Sequence, residues 1–149
     1  SIMVWGCVTS KGVGTLHRIE GKMDTEMYTQ ILQSSLLSTL KKLRITKKYT
    51  HFAQDNDPKH KSKLATTWFE SHHVHLLPWA SSSPDMNIIE YVWDYVDTMV
   101  RARKEQPKNK EEFWKEWYKI PLSSISKLYD SMPSRVEALK KARGGYTKY

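Results

Sequence analysis

Gln54-Asp55-Asn56-Asp57-Pro58-Lys59-His60 is the stretch on which the reading of this chain turns. Just before it, Tyr49 to Ala53 sets aromatic and β-branched residues on alternate sides, the pattern of a short strand. Just after Asp55, Asp57-Pro58 is turn chemistry, because proline presets φ and an aspartate side chain can bond its own backbone nearby. Asp55 therefore stands where a strand ends and the chain turns away. That position holds a carboxylate rigidly and leaves it open to a ligand. A second stretch answers it, Ser83-Pro84-Asp85-Met86-Asn87-Ile88-Ile89-Glu90-Tyr91-Val92-Trp93, with Glu90 near the start of a helix. Metal-dependent phosphoryl transfer draws several carboxylates onto two divalent ions about 4 Å apart. Mg²⁺, hard and oxygen-loving, suits such donors. Both acids also admit plainer roles. Asp55 can be a turn former like Asp57, and Asn87 with Glu90 three places on is a capping-box pattern.

Working outward, Ile2 to Gly21 reads as a β-hairpin, with Met3 to Thr9 apolar, Ser10-Lys11-Gly12 as the turn and Val13 to Ile19 returning. Asp24 is the N-cap expected for a helix whose apolar positions Met27, Ile31, Leu32, Leu36, Leu40 and Leu43 recur at helical spacing. A strand from about Tyr49 to Gln54 follows. Lys61 to His72 reads as a short helix with Leu64, Ala65, Trp68 and Phe69 on its apolar side, and Val74 to Leu77 as a strand stopped by Pro78. From about Asn87 to Arg103 a helix carries the stripe Ile89, Val92, Trp93, Val96, Met99 and Val100. Pro107 and Pro121 divide the remainder into helical blocks over Asn109 to Tyr118, Ser123 to Ser131 and roughly Pro133 to Ala142, the last ending at Gly144-Gly145. The order gives an α/β layer followed by a helical tail. The division expected is a catalytic core over 1–106 and a C-terminal helical extension over 107–149 packed on the same domain.

The chain has 149 residues, one domain's worth, and 39% of them are hydrophobic, so it can bury a core. No apolar run approaches the roughly 18 residues of a membrane helix. A single cysteine, Cys7, excludes an internal disulfide. Lys and Arg outnumber Asp and Glu 24 to 16, and a formal charge of +8 attracts phosphates. Lys59, His60, Lys61 and Lys63 follow Asp55, while Arg101 and Arg103 end the Glu90 helix. Phosphate contacts from such residues position DNA without reading its sequence. The plainer reading of each is a solvated or dipole-complementing charge. His51 with His60, or His72, His73 and His75 together, lack regular zinc-ligand spacing. The chain also starts on Ser1 and enters a strand at once, as a piece cut from something longer does.

The Gln54–His60 and Ser83–Trp93 stretches closely resemble the second and third catalytic blocks of the mariner-superfamily transposases. Met3-Val4-Trp5-Gly6-Cys7, Lys11-Gly12-Val13-Gly14 and Ile19-Glu20-Gly21 resemble the hairpin that precedes them. The 34 residues between Asp55 and Glu90, positions 56 through 89, match the branch whose third acid is Glu. The resemblance implies a ribonuclease-H-like fold, a mixed central sheet flanked by helices, carrying an Asp-Asp-Glu site. Asp55 and Glu90 become the second and third acids and metal ligands, with two Mg²⁺ or Mn²⁺ ions in the complete site. It implies DNA as partner, both transposon ends and target, a homodimer of the parent protein, a nuclear location, and neither membrane nor small-molecule substrate. Water opens the transposon end and the freed 3′ hydroxyl then joins target DNA.

Two departures qualify the resemblance. Ile88 stands where the family usually has Pro, which a helix start favours without requiring. The family's first acid lies on a strand upstream of the Trp-Gly block, where this chain begins, and the family's N-terminal DNA-binding region is absent as well. Asp24 is the only Asp before Asp55, and it opens a helix. The expectation is an N-terminally truncated catalytic domain with an incomplete triad, inactive in cut-and-paste transposition by itself. The alternative is a transposase-derived DNA-binding or protein-interaction module that no longer cuts.

Overall fold

Met3–Trp5 (β1) pairs antiparallel with His17–Ile19 (β4), Met3 opposite Ile19 and Trp5 opposite His17. Val8–Thr9 (β2) pairs with Gly12–Val13 (β3) at the hairpin tip, and Gly12, at φ 127°, takes the left-handed conformation that glycine adopts without steric cost. The return strand expected over 13–19 is thus broken in two, although the Gly14 N–H still donates to the Cys7 carbonyl at 2.8 Å. The structure, a computed structural model, describes residues 2–78, 86–105 and 109–149. The chain divides into two compact units, Ser1–Cys7 with Gly14–Ser81, and Val8–Val13 with Ser82–Tyr149.

In the first unit Asp24 caps Thr25–Ile31 (α1), its carboxylate accepting the Met27 N–H at 2.8 Å. The helix expected to run on to Leu43 does so with a change of winding. Leu32–Leu36 is π-helical, and Leu37–Lys42 (α2) completes it. The cause lies in the spacing. Tyr28, Leu32, Leu36 and Leu40 are four apart and all buried. Each step of four overshoots a 3.6-residue α-turn by about 40°, so such a stripe drifts off the buried side of an unbroken α-helix. The wider i→i+5 turn brings it back.

The strand expected over 49–54 is shorter. Lys47–Tyr49 forms a 3₁₀ turn, and only His51–Phe52 (β5) pairs, in parallel with His75–Leu76 (β6), so that Phe52 lies opposite Leu76. Lys63–Ser71 (α3) lies between them in sequence, with Ser62 accepting the Ala65 N–H at 3.1 Å. Ala65, Trp68 and Phe69 join Cys7, Tyr28 and the leucine stripe in one core, and Phe52 stacks on Phe69 with centroids 5.6 Å apart. Leu64, expected on the apolar side of α3, is instead 48% exposed. Among the described residues the sheet pairing consists of these short antiparallel and parallel pairs.

The second unit is built on Ile88–Arg101 (α4), with Lys110–Tyr118 (α5), Leu122–Asp130 (α6) and Met132–Lys141 (α7). Val92 and Val96 are buried as the stripe predicts, whereas Met99 is exposed. Trp117, Ile120 and Ile125 complete the core. Arg135 is buried with its guanidinium carbon 4.2 Å from the Tyr91 ring centre and 4.6 Å from that of Tyr149, and its Nε donates to Ser131 Oγ. Two rings at cation–π distance suit a weakly hydrated, delocalised cation. Pro107 lies outside the described residues. No helix among those described is long and apolar enough to cross a membrane.

Candidate active site

The loop leaving β5 is knitted by its own side chains. Asp55 Oδ1 accepts the Asp57 N–H at 3.1 Å and lies 2.6 Å from His60 Nδ1. Asp57 Oδ1 accepts the Lys59 N–H and its Oδ2 meets Lys59 Nζ, both at 2.9 Å. The Asp57 carbonyl accepts the N–H groups of His60 and Lys61. Gln54 Oε1 accepts the Tyr28 hydroxyl, and Gln54 Nε2 donates to the His60 carbonyl at 3.2 Å. Asp55 does act as a turn former, but with one oxygen only. Among the described residues Oδ2 has no hydrogen-bond partner, and the side chain is 57% exposed.

The electrostatics follow from these contacts. Partial burial pushes the Asp57 carboxyl up, but hydrogen bonds from the Lys59 side chain and backbone, with the charges of His60 and Lys59, outweigh it and hold the group below its ordinary value. Burial, then the charges of Asp55 and Asp57, drives the Tyr28 hydroxyl upward. Tyr28 therefore stays protonated and keeps donating to Gln54.

Glu90 lies in the first turn of α4, exposed, its N–H donating to the Asn87 carbonyl at 3.2 Å. Asn87 makes no side-chain capping hydrogen bond, so the capping box that would have explained Glu90 without chemistry does not form. Ser83, Pro84 and Asp85 of this block lie outside the described residues. Asp55 belongs to the first unit and Glu90 to the second. Among the described residues, no three His, Cys, Asp or Glu converge as a metal-binding group. Asp24, considered for the place of the first acid, is engaged as the α1 cap.

The basic residues divide by partner. Lys59 is paired with Asp57, Arg101 with Asp97 at 2.8 Å, and Arg103 with both Glu112 and Glu116 at 3.4 and 3.1 Å. Lys61 and Lys63 are exposed, and among the described residues neither has an ionic partner. His60 faces Asp55 rather than a histidine cluster, and the His51 and His75 rings lie 6.0 Å apart across the β5–β6 pair. Tyr28 escaped the sequence reading because its apolar helical position gives no hint that its hydroxyl reaches Gln54.

Compared with known proteins, residues 1–113 match the family model described as DDE superfamily endonuclease. The chain is 42% identical to the Tc1 transposase of Caenorhabditis elegans over 152 residues and 39% identical to the Tcb2 transposase of Caenorhabditis briggsae over 155. It aligns over its whole length with both, and spans 55% of each relative. Among solved structures, the catalytic domain of the Mos1 mariner transposase superposes with a TM-score of 0.84 at 19% identity, covering 99% of this chain and 76% of that one. The Mos1 transposase in a paired-end complex with the left transposon end gives 0.86 at 19% identity, covering 99% of this chain and 45% of that one. These likenesses establish the fold, ribonuclease-H-like, in which the short strand pairs and flanking helices take their places.

Proposed function

The chain belongs to the DDE superfamily endonucleases, and from that premise we propose that it is the greater part of a cut-and-paste transposase catalytic domain with Asp55 and Glu90 as two of its acids. The observation that carries the reading is the state of Asp55: one oxygen fixed by two hydrogen bonds, the other without a partner among the described residues, on a carboxylate that faces solvent in the loop after β5. Glu90 supports it, being exposed and excused from helix capping.

The Mos1 catalytic domain has been solved with Mg and with Mn. The open oxygens of Asp55 and Glu90 are the hard donors that such ions take. Divalent ions held in part by Asp55 and Glu90 would supply Lewis acidity at phosphorus and lower the pKa of a bound water. The chain's own share is positional. Asp55 and Glu90 would each offer an exposed carboxylate to the ions, and exposed Lys61 and Lys63 would contact backbone phosphates. Water attacks the phosphodiester at the transposon end, a P–O bond breaks, and a 3′ hydroxyl leaves. That hydroxyl in turn attacks a target phosphodiester, forming a new P–O bond as the target's own 3′ oxygen leaves and takes up a proton. Transposon ends and target are the partners, a homodimer the form and the nucleus the location, in keeping with the paired-end complex of Mos1.

The test uses the chain extended upstream to the length of the Tc1 and Tcb2 relatives, with Mg²⁺ or Mn²⁺ and supercoiled DNA carrying the element's ends. Nicking that disappears in D55N and in E90Q is expected. A protein that binds this DNA and never cuts it would replace the proposal with a non-cleaving binding module.

A further inference from the structure

Resting on the reading of Asp55 as a metal ligand, we infer that His60 is a positioning residue: it ties down Asp55 Oδ1 so that Oδ2 is the oxygen presented to the ion. The Asp55 carboxylate offers only acceptors, so His60 Nδ1 carries the hydrogen and donates across 2.6 Å. His60 is itself held in three ways, one at the ring and two at its backbone. Its ring lies against Tyr28 of α1, centroids 4.3 Å apart and planes 32° from parallel. Its backbone N–H donates to the Asp57 carbonyl at 2.9 Å, and its own carbonyl accepts from Gln54, which the Tyr28 hydroxyl holds in turn. The side chain of His60 is only 15% exposed against 57% for Asp55, so the imidazole stands behind the carboxylate as a prop.

The second ring nitrogen supports the assignment. Nε2 is buried, and among the described residues it has no hydrogen-bond partner. Leaving a buried polar atom unsatisfied is costly. An apolar side chain would fill the space without that penalty. What the imidazole supplies in exchange is the Nδ1–H aimed at Asp55. The nitrogen with no partner also gives the ring no reason to turn the other way. Hydrogen bonds of this kind, made to a ligand rather than to the metal, orient first-shell donors and tune their affinity. This role replaces the phosphate contact that the basic run Lys59-His60-Lys61 implies for His60.

The test measures Mn²⁺ affinity on the full chain by the loss of the free-ion EPR signal, alongside a thermal melt. H60A is expected to weaken Mn²⁺ binding about 10–100-fold. An Asn amide can place its N–H where Nδ1–H stands, whereas a Gln amide reaches toward Nε2. H60N is therefore expected to keep most of the affinity and H60Q to lose it as H60A does, a contrast that a purely space-filling role would not produce. The Asn–Gln pair decides the matter even where H60A melts too low to assay. Equal Mn²⁺ affinity in wild type and H60Q overturns the proposal. So does a loss of DNA binding in H60Q with Mn²⁺ affinity intact, which would return His60 to phosphate contact. D55N is the control: unchanged Mn²⁺ affinity in D55N removes the ligand reading itself, and this one with it.

Discussion

The indoles of Trp93 and Trp117 stack with centroids 4.6 Å apart and planes 28° from parallel, joining α5 to the helix that carries Glu90. Trp117 has no exposed surface. Arg103, just past the end of α4, reinforces the same pairing by meeting Glu112 and Glu116 of α5. The tail helix is thus scaffold for α4. Replacing Trp117 by Ala deletes both the stack and a fully buried side chain, and is expected to cost about 3–5 kcal/mol in urea unfolding. Loss of the coupled indole signal in near-ultraviolet circular dichroism should accompany it.

Gly14 faces a space that no side chain can share. A Cβ there would lie 2.3 Å from Cys7 Sγ and 2.7 Å from Thr39 Cγ2 and Oγ1. Gly14→Ala should destabilise the chain by about 1–3 kcal/mol or more, as overpacking does. Removing the nearest atom with Cys7→Ala in the same chain should recover part of the lost denaturant midpoint, because Thr39 still intrudes.

Cys7 itself is buried, and burial pushes its thiol up to about 11, against the opposing hydrogen bond to Thr39. The thiolate, not the thiol, is the nucleophile. In the native chain at pH 8, disulfide-exchange reagents should label Cys7 far more slowly than in urea. Equal rates would show that the β1–α2 region opens freely.

The Asp57 turn predicts an acid limb in the stability curve. A carboxyl held below its ordinary value of 3.8 contributes stability that is fully present above that value and is lost as pH falls through the lower folded-state value. Melting temperature should therefore decline as pH drops below about 4. Asp57→Asn should flatten that part of the curve while leaving the rest of its shape intact. Lys59→Met, which removes the principal partner, should do the same.

Glu90 separates activity from stability. Being exposed and outside any capping box, Glu90→Gln should abolish DNA nicking in the upstream-extended protein yet shift unfolding by less than about 1 kcal/mol, the scale of a first-turn charge on the helix dipole. A larger loss of stability would mean that Glu90 serves the helix after all.

Local signals were the legible ones. Alternation revealed the β1–β4 pairing, the Asp24 cap was visible from its place before a helical stripe, and Val92 and Val96 declared the buried face of α4. The π segment was harder to read, because its cue, the strict four-residue repeat of Tyr28, Leu32, Leu36 and Leu40, is embedded among neighbours that also fit ordinary helical spacing. The fate of the charges was hidden for a different reason. Nothing in the order of residues shows that Lys59 and Arg103 meet carboxylates, since one contact depends on the turn set by Asp57-Pro58 and the other on α4 lying against α5. For the same reason Asp55 was readable as a candidate acid, while the imidazole that orients it read as one more positive charge in a basic run.

The hairpin tip Val8–Val13 belongs to the same compact unit as the last helices, and the Tyr129 hydroxyl donates to the Val8 carbonyl at 3.3 Å across 121 positions of chain. That membership has a consequence during synthesis. At the usual 5–20 residues per second, roughly 6–24 s pass between the ribosome adding Val8 and adding the tyrosine that binds it. The first unit can assemble within that interval, because all of its residues have been made by position 81. The second cannot close until its earliest and latest residues are both available. A gene cut between positions 81 and 82 would therefore not release two domains; it would leave the downstream product without the ribbon on which its final helices finish folding.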